Sequence, residues 1–385
     1  GPSWKQIQRG AQGSAVATIA SVTINYMRYV NLVNVDYLIC FTSGGSGHAV
    51  NLSTFVVTLI GAGGTFTGTV STAQWKNERT LIIAGNNYWS WDISGGLVAL
   101  GGVTGAPSAG QTIATFAGRV WVGNSRTVVF SAPNSYTDFQ TASSGGSFIV
   151  TDETLHSNIN SLLTANNFLY LVGDASFNVV SDVRLDTGTP AVTLFSNVNV
   201  SALIGSNLPL SIFPYYRMIA FATRYGFYIM IGSTPQKISD HLDGIIPLID
   251  FTKPVSGGVA NIYNILCMCF LFNYRDPAGA RPLLAIFFNK KWFFCSQGTG
   301  LTVLADGFQS GTPAIFATDG TNIWKLFSDT TTNISSTIQT ALWPMKVPTK
   351  MKEGQKAGVE ITTAAVTTAV TLTLDSDFGT IPLSL

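Results

Sequence analysis

Charge is what this chain has least of. Lys, Arg, Asp and Glu make up 11% of its 385 residues, against about 25% in an ordinary soluble domain, while 46% are apolar. A free monomer of this size needs more charge than that to cover its surface, so the composition predicts a subunit whose sides are covered by neighbours. The 21 basic and 20 acidic residues nearly cancel. That balance argues against tight binding of nucleic acid, which comes mostly from neutralised phosphates, and suits a protein past which DNA slides.

Long apolar runs are missing too. The best, residues 262–272, is bounded by Asn261 and Asn273 and falls short of the roughly 20 residues that span a bilayer. The opening GPSWKQIQRG is polar, so no signal peptide is expected there. Cys40, Cys267, Cys269 and Cys295 are too few and too scattered for a disulfide scaffold. Cys267 and Cys269 share a face if their run is a strand, and read as reduced core residues. His48, His156 and His241 are isolated, so neither a metal centre nor any other cofactor is expected.

Glutamate occurs only at 78, 153, 353 and 360. A glycosidase pair built on Asp152 or Glu153 would need a distant partner, and adjacent acids after a strand read more simply as a solvated loop. No stretch of 12 or more residues has a 3.6-residue apolar period, and residues 239–251 hold at most a turn of helix. With 38 glycines and many Thr and Val residues, the chain is predicted to be all-β.

What is present is a repeat. The chain reads LIIAGNNYWS to Ser90, RVWVGNSRTVVFS to Ser131, LYLVGDASFNVVS to Ser181, YIMIGSTPQKIS to Ser239, AIFFNKKWFFCS to Ser296 and IFATDGTNIWKLFS to Ser328. Each copy is an apolar run, a Gly or Asn turn, a second run and a serine. The turns fall at Gly85, Gly123, Gly173, Gly232, Asn289 and Gly320, residue types that tolerate the positive φ of short β-hairpin turns. Asp182, Asp240 and Asp329 follow three of the copies. Successive serines stand 41, 50, 58, 57 and 32 residues apart, close on average to one four-stranded propeller blade.

The pattern predicts a β-propeller of five to seven blades over 71–330, with a stack of β-sandwiches as the competing architecture. Residues 1–70 form an N-terminal β segment, read as an early blade, a closing strand or a separate small sheet. Residues 331–385 form a C-terminal sandwich or platform element, with Thr/Val-rich strands starting at Val359 and Ala369.

Chemical motifs fail on context. GGSGH (44–48) places Ser46 and His48 close together without the strand-to-helix elbow of a hydrolase nucleophile. GAGGTFTG (61–68) lacks the Gly-Lys-Ser/Thr of a phosphate loop. Asp377-Phe378-Gly379 has no accompanying catalytic loop, and DSD at 375–377 is a weak calcium signal. No enzyme activity is expected. Tyr88, Trp89 and Trp91 are the best candidates for a sugar-binding platform, although alternation within a hairpin explains them as blade packing. Lys346, Lys350, Lys352 and Lys356 form the one charge cluster, read as an exposed basic loop or a surface for an acidic partner.

The segment FAGRVWVGNSRTVVFSAPNSYTDFQ (116–140) resembles a recurring segment of short-tailed bacteriophage tail nozzle or tail hub proteins. In that family a Gly-Arg-aromatic strand precedes a hairpin ending in Ser-x-Pro, with Asp-Phe a few residues on. ISSTIQTALWPMKVPTKMK (334–352) is similar to the segment that follows the propeller in the same family. The two segments cover about a tenth of the chain. The resemblance implies a virion protein in the phage tail: a propeller with platform domains, assembled as a homo-hexamer below the portal and adaptor rings. Tail fibres would attach to it, and genomic DNA would pass through its channel without sequence-specific binding. A carbohydrate-binding or glycoside-processing receptor-recognition propeller, and a cellular scaffolding propeller, are the competing readings.

Overall fold

Each second strand in this protein is apolar at successive positions, and each is covered on both faces. The computed structural model describes most residues from 14 to 328, with 151–157 the longest internal stretch outside it, and the strands Trp4–Ile7, Ile338–Thr340, Leu372–Ser376 and Gly379–Leu383. Seven four-stranded antiparallel sheets follow one another along the chain. Their first strands begin at Ile24, Ser71, Thr112, Ser161, Phe213, Ser256 and Val303, about 41 to 52 residues apart and so close to the period of a propeller blade. Blades 1 to 7 are numbered in that order.

Seven apolar clusters join the blades pairwise. Leu81 and Ile83 of blade 2 pack with Val120 and Val122 of blade 3, whereas Ile82 and Ala84 pack with Ile39 and Phe41 of blade 1. Successive side chains of a strand point to opposite faces. A strand wedged between two neighbouring sheets is therefore apolar at every position, as parallel-sheet strands are for the same reason. The seventh cluster joins Phe316 and Ile323 of blade 7 to Ile24, Leu38 and Cys40 of blade 1. That contact closes the ring: the protein is a seven-bladed β-propeller.

Closure also uses the N-terminal segment. Blade 7 takes three strands from 303–325 and its outermost from Ser14–Thr18, which pairs with Asn322–Lys325. The propeller thus reaches back beyond residue 71, with 24–61 supplying blade 1 and 14–18 the closing strand. Trp4–Gln339 form one compact unit. Gly1–Ser3 with Thr340–Leu385 form another, in which Leu372–Ser376 pairs with Gly379–Leu383. The expected strand from Val359 and all four lysines of the basic cluster lie outside the described residues.

The hairpin turns divide into those the sequence placed and those it did not. Gly232 (φ 61), Asn289 (φ 48) and Gly320 (φ 104) occupy turns with positive φ. Gly173 begins the turn that joins Phe168–Val172 to Phe177–Asp186. Gly85 is also in a turn, but a different constraint selects it: a Cβ there would meet the Thr67 carbonyl oxygen at 3.2 Å and the Gly68 Cα at 3.4 Å. Gly123 is a correction. It lies inside the strand Arg119–Asn124, opposite Thr112, and the turn is made by Ser125 (φ 55) and Arg126.

The repeat changes register between blades. In blades 2, 3, 4 and 7 the recurring hairpin joins the second and third strands, whereas in blades 5 and 6 it joins the third and fourth. That slip lengthens the spacing before Ser239 and shortens it before Ser328. The closing serines latch the hairpins. Ser131 Oγ accepts the N–H of Val120 at 2.9 Å, and Ser239 Oγ accepts that of Phe227 at 2.9 Å.

Helix is confined, among the described residues, to short 3-10 turns, including Asp240–Leu242 and Ile246–Leu248 within the stretch expected to hold one. Just after them, Asp250 accepts the Thr252 hydroxyl at 2.6 Å and pairs with Arg275 at 2.8 Å. These contacts pull its carboxyl down to about 2. A carboxylate depressed in the fold stabilises above its ordinary titration range and loses that contribution as protons bind. Urea midpoints are therefore expected to fall between about pH 4 and pH 2, and Asp250→Asn should flatten that limb, as denaturation across the range would register.

Candidate functional site

The first strand of every blade runs along the central axis, where one of its edges has no strand partner. Backbone N–H groups left in that position must find other acceptors, and the sequence supplies hydroxyls. Ser71, Thr112 and Ser256, each the first residue of its inner strand, accept the N–H of the second inner residue of the next blade. The acceptor distances are 3.3 Å from Ile113, 2.8 Å from Leu162 and 2.9 Å from Leu304. Three residues further along, the Thr115 and Thr164 hydroxyls donate to the carbonyls of Gln74 and Thr115, at 3.1 and 2.9 Å.

These strands surround an axial cavity of about 920 Å³, at the upper end of ordinary ligand sites. Its polar lining is neutral hydroxyl and amide, including Asn25, Gln74, Thr115 and Thr164, with two exceptions. Arg28 from blade 1 and Asp306 from blade 7 are the only charged residues that line it among the described residues. Asp306 Oδ2 accepts the Val259 N–H at 3.2 Å. Burial pushes this carboxyl above the ordinary range, and the Arg28 charge pulls the other way. Tyr29, beside Arg28 in the strand, is pushed up to about 12 by burial and by its 2.6 Å hydrogen bond to Asp36. Sequence reasoning missed both charged residues. The available signal was a lone charge inside each of two otherwise uncharged runs, NYMRYVNL and LTVLADGF.

The other chemical candidates resolve into structure. Ser46 Oγ lies 3.1 Å from His48 Nε2 and 2.7 Å from Thr42 Oγ1, and burial lowers the imidazole's proton affinity. The serine is buried within a tight turn, and its own N–H is taken by Thr42 Oγ1 at 3.2 Å. This trio fastens the second hairpin of blade 1, in a turn leading into the strand Gly47–Asn51. The glycine-rich loop is likewise engaged internally: Gly64 and Phe66 donate to the carbonyls of Gly44 and Gly45 at 2.8 and 2.9 Å.

Tyr88, Trp89 and Trp91 are all at most 6% exposed. They fill the clusters between blades 1, 2 and 3 and offer no sugar platform. The four cysteines are buried and form no disulfide, and burial pushes the Cys267 and Cys269 thiols up. No group of His, Cys, Asp or Glu suited to a metal ion occurs among the described residues. No helix there is long and apolar enough to cross a membrane.

The Gly-Arg-aromatic segment of blade 3 is a latch. Gly118 turns with φ 67, and Arg119, only 2% exposed, donates through Nη1 to the carbonyls of Ser131 at 2.6 Å and Ser144 at 2.8 Å. Ser131 Oγ donates to the Ser135 carbonyl at 2.6 Å. The Ala132 N–H bonds the Asp138 carbonyl at 2.8 Å. Phe139 meets the Tyr88 ring of blade 2 edge-on at 5.9 Å, and the Tyr88 hydroxyl donates to the Tyr136 carbonyl at 2.8 Å. Of the second segment, 334–352, only Ile338–Thr340 falls among the described residues.

The rim is unlike the axis. Leu59, Val98, Ile149, Val198 and Phe293 lie on the fourth, outermost strands of five blades and are each 41% exposed or more. Outer strands are sheet edges, which proteins ordinarily blunt with charge, especially lysine.

No family model and no curated protein matches this chain. Solved structures do. The extracellular domain of a putative hybrid two component system from B. thetaiotaomicron aligns with a TM-score of 0.52 at 12% identity, over 81% of this chain and 39% of that one. A second structure, of the extracellular domain of a putative one component system from the same organism, aligns with a TM-score of 0.52 at 12% identity, over 82% and 39%. This chain therefore spans well under half the length of those proteins, and the likeness is one of fold.

Proposed function

We propose that this chain is a structural virion protein of a short-tailed phage, a tail nozzle or hub propeller that works without catalysis. In this reading six copies form a ring below the portal and adaptor, tail fibres attach to it, and the genome passes through the ring. The observation that carries it is the rim: exposed apolar side chains on edge strands, in a chain with 11% charged residues, suit a subunit whose sides are buried against copies of itself and other tail proteins. The blade 3 latch supports the reading as well, because residues of the resembling segment 116–140 tie blade 3 to blade 2 through Tyr88, Tyr136 and Phe139 and none of that segment lines the axial cavity.

Light scattering or native mass spectrometry across a concentration series, with negative-stain imaging, tests it. Six-fold rings with a central hole, or a monomer that forms them on addition of an adaptor or portal, are expected. A monomer indifferent to those partners would overturn the reading.

A further inference from the structure

The axial cavity carries a feature that the ring fold does not need. The Arg28 side chain is exposed, lines the cavity, and makes neither a hydrogen bond nor an ion pair within 4 Å among the described residues. Asp306, the other charge on the wall, spends Oδ2 on the Val259 N–H and makes no ion pair within 4 Å among the described residues, although the Arg28 charge acts on it across the cavity. A guanidinium and a carboxylate that face one cavity but stay apart are complementary to a ligand that carries both an anionic group and hydroxyl donors.

We propose that this cavity binds an acidic monosaccharide or short acidic saccharide, whose carboxylate pairs with Arg28 and whose hydroxyls donate to Asp306 and the neutral lining. Planar guanidinium matches carboxylate in a bidentate fork. The Thr115 and Thr164 hydroxyls have their protons committed to neighbouring carbonyls, so each presents only lone pairs, which accept from sugar hydroxyls. Asn25 adds an amide that both donates and accepts, whereas the Gln74 amide is engaged in the fold, accepting the Asn31 N–H at 2.9 Å and donating to the Lys76 carbonyl at 2.8 Å.

Other ligand classes fit less well. A phosphate-rich ligand would place two or more charges beside a single cation and next to Asp306. An apolar ligand would strand the hydroxyls, amides and both charges, and a divalent cation would find one carboxylate. The inference rests on the inner strands alone and stands apart from the nozzle reading, which rests on the rim.

The test is ligand-observed NMR and titration calorimetry on the full chain with D-glucuronate, using D-glucose as neutral comparator and acetate as carboxylate-only comparator. Saturable glucuronate binding is expected, about tenfold or more tighter than glucose, as befits charge-assisted hydrogen bonds, with no acetate binding. Arg28→Gln should bring glucuronate down to the glucose level while the protein stays folded, because the side chain makes no hydrogen bond or close ion pair and acts on Asp306 only through its charge, and Arg28→Lys should recover part of the affinity. Asp306→Asn should weaken both sugars. No saturable glucuronate binding, equal binding of acetate, or indifference to Arg28→Gln would each overturn the proposal. The oligomeric state decides the nozzle reading separately.

Discussion

Deleting residues 1–18 is expected to lower the thermal midpoint of the propeller by about 10 °C or more, the largest effect of any short truncation from 14 to 328. The segment Ser14–Thr18 is the fourth strand of blade 7, held by antiparallel pairing from Ser14 opposite Lys325 to Thr18 opposite Asn322. Its loss bares the edge of Asn322–Lys325 and uncovers the cluster in which Val16 and Ala17 pack beside Ile19, Phe316 and Ile323. That cluster is the contact between blades 7 and 1. A ring of blades is stabilised at every interface by its neighbours, so weakening one interface lets the ring open there and frays the two flanking blades first. Differential scanning calorimetry, with hydrogen exchange to locate the opening, would register the change. Exchange that rises evenly through all seven blades, or an unchanged midpoint, would show that the ring does not depend on its closing strand.

Replacing Arg119 by Met should destabilise the protein by about 2–4 kcal/mol. The guanidinium is buried, and burial alone pulls its proton affinity down. Among the described residues no carboxylate pairs with it; the charge is held by the carbonyls of Ser131 and Ser144, over the Phe130 ring at 5.8 Å. Met removes a costly buried charge and fills part of the volume, which offsets some of the loss. It also leaves the Ser131 carbonyl, in a residue with no exposed surface, without that donor, and unpaired buried carbonyls cost about 1–3 kcal/mol each. Arg119→Lys separates charge from geometry: both bonds come from Nη1, and the lysine ammonium sits on a shorter stem and lacks the planar guanidinium over the Phe130 ring, so it should lie between wild type and Met in urea denaturation. A Lys variant as stable as wild type would mean that charge alone matters at this position. A Met variant as stable as wild type would mean that the latch is dispensable.

Much of the architecture was legible locally. Apolar runs broken by Gly or Asn turns mark hairpins because turn chemistry and strand pairing act over a few residues, and Gly232, Asn289 and Gly320 are where that reasoning placed them. Blade 1 falls outside the six hairpin copies, and its residues read equally as an early blade, a closing strand or a small sheet, because its hairpin turn is a four-residue Ser-Gly-Gly-Ser loop fastened by Ser46 and His48, which the repeat pattern does not describe. The slip in blades 5 and 6 has a related origin. Every hairpin in a blade looks alike to a local pattern, and only the position of a strand relative to the axis says whether it is second, third or fourth.

The sequence by itself determined the all-β class, the hairpins, the approximate blade length and the shortage of charge that points to covered sides. It did so through forces that act between near neighbours in the chain and through composition. The tertiary structure alone decided that there are seven blades, that Ser14–Thr18 completes the last one some 300 residues away, that Gly123 sits in a strand, and that Tyr88, Trp89 and Trp91 are buried. It also decided that Arg28 and Asp306, about 280 residues apart in the chain, face one cavity. Those outcomes depend on closing a ring, and ring closure brings together residues that no local pattern relates.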